Sequence, residues 1–280
     1  MSSKIAIVTD STADLGALAG DDIAVVPLSV TFGSEQFQDG VDLTPDQFYS
    51  KLSKNPNHPI TAQPPPGLFA QTYERLLAAG AEHVLSLHLS SALSGTYNSA
   101  VIAATQVDPA RITVVDTRWV ASGLGLLVLN ARDRASRGES LEQILAAVHS
   151  DIENLHLYAA IPTLTFLARG GRIGQMQGLL GNVLKIVPII TLANGLVAEH
   201  SKVRTFARAV DKVVDLTVAA APKKGSARCA IMHTVAPELA ESVAQRVRER
   251  VDPVFLIICN AGPTVGTHAG PGAVGVFFTP

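Results

Sequence analysis

Within Ser90-Ser91-Ala92-Leu93-Ser94-Gly95-Thr96 four hydroxyls gather around one glycine, and no charge interrupts them. Hydroxyls can donate to an anion, and glycine lets a ligand approach the backbone amides. Residues 83–89 just before read as a strand, with Val84, Leu85, Leu87 and Leu89 supplying its apolar content. Residues 97–101 just after open a helical pattern that Ser94 or Thr96 can cap. A helix N-terminus at the carboxyl end of a strand favours negative charge through its free N–H groups and its dipole. The chemistry this unit suits is the holding of a carboxylate or phosphate; a serine-rich cap with no ligand suits the same residues.

Other groups able to meet an anion are scattered along the chain. Asp10 and Ser11 follow a short apolar run, residues 5–8, that reads as a buried parallel strand and delivers them to a sheet's carboxyl edge, where ligands of open α/β sheets sit; Asp10 can equally cap the next segment. Thr61 and Gln63 lie in a proline-rich stretch, residues 56–67, stiff and mostly extended because each proline fixes φ and biases its predecessor. Such a stretch serves either as a ligand wall or as a plain rigid crossing. Arg172 sits in Gly170-Gly171-Arg172-Ile173-Gly174, and His268 in a glycine-rich tail where backbone bulk is small. Gly270 to Gly275 spell G-x-G-x-x-G, but the five residues that remain are too few for the helix a dinucleotide fingerprint requires. The closing stretch, residues 262–278, therefore reads as a glycine-rich loop.

The elements that must position these groups follow from periodicity and punctuation. Residues 23–32 read as one strand, with Pro27 suggesting an edge or a bend. Thr44 and Gln47 frame a capping box with Pro45 at the first helical position, opening a helix through Leu52, and residues 68–77 keep helical spacing up to Gly80. Residues 111–117 form another buried strand; a helix from about Trp119 to Arg137 stops at Gly138, and Ser140 with Gln143 starts the next, to about Glu153. Strands alternating with helices imply βαβ units around a parallel sheet. From Leu155 the pattern changes. Residues 157–161 read as a strand, 163–169 as a short helix, 186–192 and 196–201 as a hairpin around Asn194-Gly195, then a helix ends near Ala221, and strands 228–233 and 254–260 flank a helix over 237–250. The expected fold class is α/β with two domains: residues 1–154 an N-terminal parallel-sheet domain, and 155–280 a C-terminal mixed α/β domain on which roughly residues 30–60 also pack.

Composition removes several function classes. The chain of 280 residues is 47% hydrophobic, enough for a sizeable core. A net charge of −2 with interspersed signs leaves no footprint for nucleic acid, and 5% aromatic residues argue against stacking platforms and for an aliphatic ligand. Cys229 and Cys259 both lie in apolar runs and read as buried free thiols in a reducing compartment. The first ten residues carry one basic residue and too short an apolar run for a secretory leader. The longest apolar tract, residues 179–198, is broken by Lys185, Pro188 and two asparagines, so no transmembrane segment is expected and the localisation is cytoplasmic. No histidine pair or acidic cluster suits a metal.

Six segments in order resemble the DegV family of fatty-acid-binding proteins: residues 8–15 (Val-Thr-Asp-Ser-Thr-Ala-Asp-Leu), Thr61-Ala62-Gln63-Pro64, residues 90–97, residues 167–174, Lys202-Val203-Arg204 and residues 266–272. The resemblance spans the chain and implies two α/β domains with a fatty acid in a tunnel at their interface. It implies that Thr61, Ser94 and the Gly95 amide bind the carboxylate, and that Arg172, His268 and Arg204 lie around the head group, with Asp10, Ser11 and Gln63 as further candidates. It implies no catalytic residues and no cofactor other than the bound lipid. The partners it implies are a long-chain fatty acid, a separate fatty acid kinase that phosphorylates it, and acyltransfer enzymes of phospholipid synthesis. One departure is Ala62 with Pro65 and Pro66, where the family more often reads Thr-Ser-Gln-Pro-Ser. Physically, an acyl chain of about 16 carbons gains on the order of 12 kcal/mol before ordering costs, while its carboxylate must be paired to enter at all.

Two further readings use the same residues. Ser94 as nucleophile with His268 as base and Asp116 as acid would make an acyl hydrolase or transferase, although no G-x-S-x-G surrounds Ser94. A phosphate or polyol-phosphate binder would use the same helix terminus for a small polar ligand.

Overall fold

The computed structural model describes residues 4–179, 186–222 and 225–279. Met1 to Ser3 and residues 180–185 of the long apolar tract lie outside the described residues. In chain order the elements begin with β1 (Ile5–Asp10), β2 (Ile23–Val26), β3 (Ser29–Phe32), β4 (Glu35–Gln38), α1 (Pro45–Lys54), β5 (Ile60–Ala62) and α2 (Pro66–Ala78). Next come β6 (His83–His88), α3 (Thr96–Val107), β7 (Ile112–Asp116), α4 (Ser122–Ser136) and α5 (Leu141–Asn154). They are followed by β8 (His156–Ala160), α6 (Thr165–Arg169), β9 (Val187–Ala193), β10 (Leu196–Val203), α7 (Phe206–Ala220), β11 (Arg228–His233), α8 (Pro237–Val251), β12 (Phe255–Asn260), α9 (Pro263–Ala269) and β13 (Val274–Thr279).

Three sheets result. The first is fully parallel, in the order β2-β1-β6-β7. Its central strand β6 buries Val84, Leu85 and Leu87 completely, as a strand covered on both faces must. The second is mixed and six-stranded, ordered β10-β9-β8-β13-β11-β12, with β11 and β12 parallel and the other pairs antiparallel. The α/β class with a parallel N-terminal sheet and a mixed C-terminal one agrees with the sequence reading. The third sheet, β4-β3-β5, is small and antiparallel; it and α1 pack against α9, where the Tyr49 hydroxyl donates to the Ala261 carbonyl at 3.1 Å.

Local signals delivered the helices that carry them. Thr44 and Ser140 both form complete capping boxes, at the starts of α1 and α5. Asn194 and Gly195 take φ of 51° and 79°, the positive pair that a two-residue type I′ turn needs, and join β9 to β10. Cys229 and Cys259 are free and buried.

Four expectations need correction. Residues 23–32 are two strands in two sheets, because the chain leaves the parallel sheet at Pro27, which cannot donate to a ladder. The helix expected from Trp119 starts only at Ser122: Arg118 and Ala121 both hold φ of 57°, outside the right-handed helical region. The cap of α3 is Gly95 rather than Ser94 or Thr96, with no side-chain cap bond. Most consequential, the glycine-rich tail is no loop. It forms α9 and the strand β13, which runs between β8 and β11 in the middle of the second sheet. Its glycines are packing devices: a Cβ at Gly266 would lie 2.6 Å from the Tyr49 hydroxyl, and one at Gly275 would lie 2.8 Å from the Ala159 methyl.

Candidate functional site

A cavity of about 390 Å3 is lined by strands of the second sheet, by β5 and by the segments that follow the strands of the first sheet. Leu157, Ile161, Ile190, Val197 and Phe277 line it from the second sheet and its flanks, and Leu93 from the loop after β6. Such a volume with mostly aliphatic walls and a few polar groups is ordinary for a small-molecule site. Thr61, Gln63, Ser94, Gly95, Arg172 and His268 also line it, so the structure brings these six together from segments spread over the chain.

They form one connected group. Thr61, on the edge strand β5, places its Oγ1 3.0 Å from His268 Nε2, across 207 residues of sequence. The His268 ring lies against Gly170, where a Cβ would come within 2.0 Å of Nδ1. Gly170 in turn accepts from Arg172 Nη1 at 2.6 Å, and Arg172 Nε donates to the Leu93 carbonyl at 3.2 Å, beside Ser94. Ser94 Oγ pairs with Thr96 Oγ1 at 2.9 Å and accepts from the Thr96 amide at 3.3 Å. Gln63 Nε2 donates to Ser99 Oγ, one turn into α3, at 3.1 Å. These polar groups thus meet as one linked set in the wall of a largely apolar space.

The electrostatics of that set favour an anion. Burial, with the Arg172 cation and then His58 adding to it, pushes the His268 imidazole down to about 4, so the ring is neutral at pH 7. Its Nδ1 is buried without a partner. The positive charge is therefore Arg172, whose guanidinium hydrogen bonds go to backbone carbonyls and which makes no ion pair with a carboxylate among the described residues.

The remaining predicted residues lie elsewhere. Arg204 is exposed beyond the end of β10 and is not among the cavity's lining residues. Asp10 and Ser11 border a second cavity, of about 560 Å3, with Asp14 and Asp39. Asp10 is fully buried: its Oδ1 accepts from the Thr12 amide at 3.1 Å, and its Oδ2 meets His88 Nδ1 and the Leu89 amide, both at 3.0 Å. His88 Nε2 continues to Ser86 Oγ at 2.7 Å, and Ser86 to the Tyr73 hydroxyl at 2.8 Å. This network bolts β1 to β6 and α2. Ser11 donates to Asp39 at 3.1 Å, and Asp39 also accepts from the Thr264 amide at 3.1 Å. Burial raises the Asp39 carboxyl to about 6 despite those bonds, and raises Asp14 well above its usual value, with Asp39 adding repulsion.

The hydrolase arrangement is not assembled among the described residues: Ser94 is paired with Thr96, His268 with Thr61, and Asp116 accepts from Ser91 and the Arg118 amide. No group of three or more side chains suited to a metal occurs among the described residues. None of their helices is long and apolar enough to cross a membrane. Sequence reasoning passed over Leu28, Val265 and Met232, which also line the first cavity. Only packing turns them toward it, and no local pattern marks them.

The family model described as "Uncharacterised protein, DegV family" matches residues 4–280. A DegV domain-containing protein of Deinococcus radiodurans is 38% identical over 279 residues, covering 99% of each chain, and one of Streptomyces coelicolor is 37% identical over 282 residues, covering 99% of this chain and 98% of its own. Among solved structures, a DegV family protein from Thermus thermophilus, described for its fatty acid binding, superposes with a TM-score of 0.93 at 34% identity and 99% coverage of both chains. DegV of Bacillus subtilis, described as a fatty acid binding protein, gives 0.91 at 30% identity, again with 99% coverage of both. With sequence match and fold agreeing over nearly the whole chain, this protein belongs to the DegV family.

Proposed function

We propose that this protein binds a long-chain fatty acid, with the acyl tail in the 390 Å3 cavity, acting as a tunnel, and the carboxylate at its polar end. The observation that carries the reading is the make-up of the lining: largely aliphatic walls, with Thr61, Ser94, Gly95, Arg172 and His268 brought together in one linked group. Tail burial supplies the affinity, at about 0.8 kcal/mol per methylene. Hydrogen bonds from Thr61, Ser94 and the Gly95 amide offset the desolvation of the carboxylate, and Arg172 keeps it ionised. A small phosphorylated ligand would leave the aliphatic walls uncovered, so the lipid is the better occupant. Fatty acid binding by the Thermus thermophilus and Bacillus subtilis relatives supports the same reading.

In this proposal the protein is a carrier. It presents the carboxylate to a separate fatty acid kinase for acyl-phosphate formation, and acyltransfer enzymes of phospholipid synthesis take up the product. Arg204, exposed beyond β10, serves phosphate transfer or partner docking. The residues group into an N-terminal domain, 1–154, and a C-terminal domain, 155–280, with the tunnel between them. The cytoplasm is the compartment, in keeping with two unpaired buried thiols. Native mass spectrometry of the purified protein, followed by organic extraction, tests the binding step: one equivalent of fatty acid is expected, and a folded protein that neither carries nor takes up a long-chain acid refutes it. Hydroxylamine trapping of acyl phosphate, in mixtures of this protein, ATP and a fatty acid kinase, tests the carrier step.

A further inference from the structure

The two halves of the proposed head-group site come from different sheets. Thr61 belongs to the three-residue edge strand β5, paired only with β3, while Ser94 and Gly95 lead into α3 behind the parallel sheet. Something must fix the distance between them, because a carboxylate can be held from both sides only if the gap fits it. Gln63 spans that gap. It follows β5 directly, and residues two apart on extended chain point the same way, so it projects beside Thr61. Its Nε2 reaches Ser99 Oγ at 3.1 Å, and Ser99 is 2% exposed and anchored in the first turn of α3, its amide bonded to the Gly95 carbonyl at 3.0 Å. The Gln63 amide lies flat against that turn: a Cβ at Gly95 would be 2.1 Å from Oε1, 2.7 Å from Cδ and 2.8 Å from Nε2. Gly95 has a φ of −75°, which any residue can adopt, so contact with Gln63 and not backbone conformation requires glycine there. Pro64, Pro65 and Pro66 then stiffen the chain beyond the contact.

We propose that Gln63 is a positioning residue of the head-group site, a strut between β5 and the first turn of α3 that sets the spacing of Thr61 from the Ser94–Gly95 turn to suit a carboxylate. The inference rests on the fatty-acid reading above. Gln63 itself is exposed, so removing its amide perturbs the site more than the fold.

The test compares binding of palmitic acid and of hexadecanol, which shares the tail and lacks the carboxylate. Gln63→Ala is expected to weaken palmitic acid about fivefold and hexadecanol by less than about twofold, with the urea midpoint unchanged. Gly95→Ala is expected to weaken palmitic acid by about tenfold or more in the wild-type background, where the new methyl meets Gln63. In the Gln63→Ala background, where the space is free, it should cost no more than about twofold. The strut is overturned if Gln63→Ala keeps wild-type affinity for palmitic acid, if acid and alcohol weaken together, or if Gly95→Ala costs the same in both backgrounds. A folded wild-type protein that takes up neither ligand instead overturns the fatty-acid reading on which the strut depends.

Discussion

Gly170→Ala isolates the contact that holds His268. Gly170 has φ −78° and ψ −6°, a conformation alanine adopts freely, so the backbone raises no objection, and the unfolded chain loses freedom worth about 0.4–1 kcal/mol in favour of folding. The objection is steric. The added methyl would sit 2.0 Å from His268 Nδ1 and 2.6 Å from Cε1, so the ring must retreat by about an ångström or more. The first casualty is the 3.0 Å bond between His268 Nε2 and Thr61 Oγ1, which leaves a hydroxyl at the head-group end free to turn away. A neutral hydrogen bond and the misplacement of one ligand group together give an expected loss of about 1.4 kcal/mol, or about tenfold in affinity for a long-chain acid, while overpacking, partly offset by the stiffer unfolded chain, costs folding stability about 1–2 kcal/mol. Isothermal titration with palmitic acid measures the first quantity and urea unfolding the second. In a His268→Ala background the same substitution should cost nothing. Wild-type affinity in Gly170→Ala, together with an unmoved His268 ring resonance, would refute the assignment of this contact to the site.

Further expectations concern a proposed carboxylate ligand, the buried network and pH. Ser94→Ala should weaken fatty-acid binding by about 1–3 kcal/mol, the range for a hydrogen bond to a charged group; unchanged lipid occupancy on native mass spectrometry would remove Ser94 from the site. His88→Ala leaves Asp10 and Ser86 without their 3.0 and 2.7 Å partner in a fully buried setting, and should cost about 3 kcal/mol or more in urea unfolding, whereas a cost below about 1 kcal/mol would mean that the network contributes little. His268, at about 4 in the folded protein against 6.5, takes up its proton more readily in the unfolded chain. Between those values the unfolded state binds more protons, so this residue makes stability rise with pH, by up to about 3 kcal/mol. Asp39, raised from 3.8 to about 6, works in the opposite sense over an overlapping window. The difference between wild type and His268→Gln isolates the histidine's share, and identical pH profiles for the two would contradict it.

What the sequence determined by itself is what short-range physics governs. A capping box needs only Thr44 and Gln47, or Ser140 and Gln143, three residues apart, and a type I′ turn needs only Asn194 and Gly195. Short runs rich in apolar and β-branched residues between turn signals read as strands, so β1, β6, β11 and β12 were legible in the sequence, and with them the α/β class. Thr61, Ser94, Arg172 and His268 stood out through their motifs, but their meeting at one cavity could not be deduced from spacing. Tertiary structure decided where the rest belongs. Gly266 and Gly275 suggest a loop until Phe48, Tyr49 and Ala159 occupy the space their missing side chains leave; then the tail becomes a helix and an inner strand. Asp10 and Ser11, at a strand's carboxyl edge as a ligand site would have them, are taken up instead by His88 and Asp39. The same contacts between distant segments set His268 against Thr61. Local propensity specifies which elements form, but the four segments that carry Thr61, Ser94, Arg172 and His268 meet at one cavity only once their side chains fill one another's space.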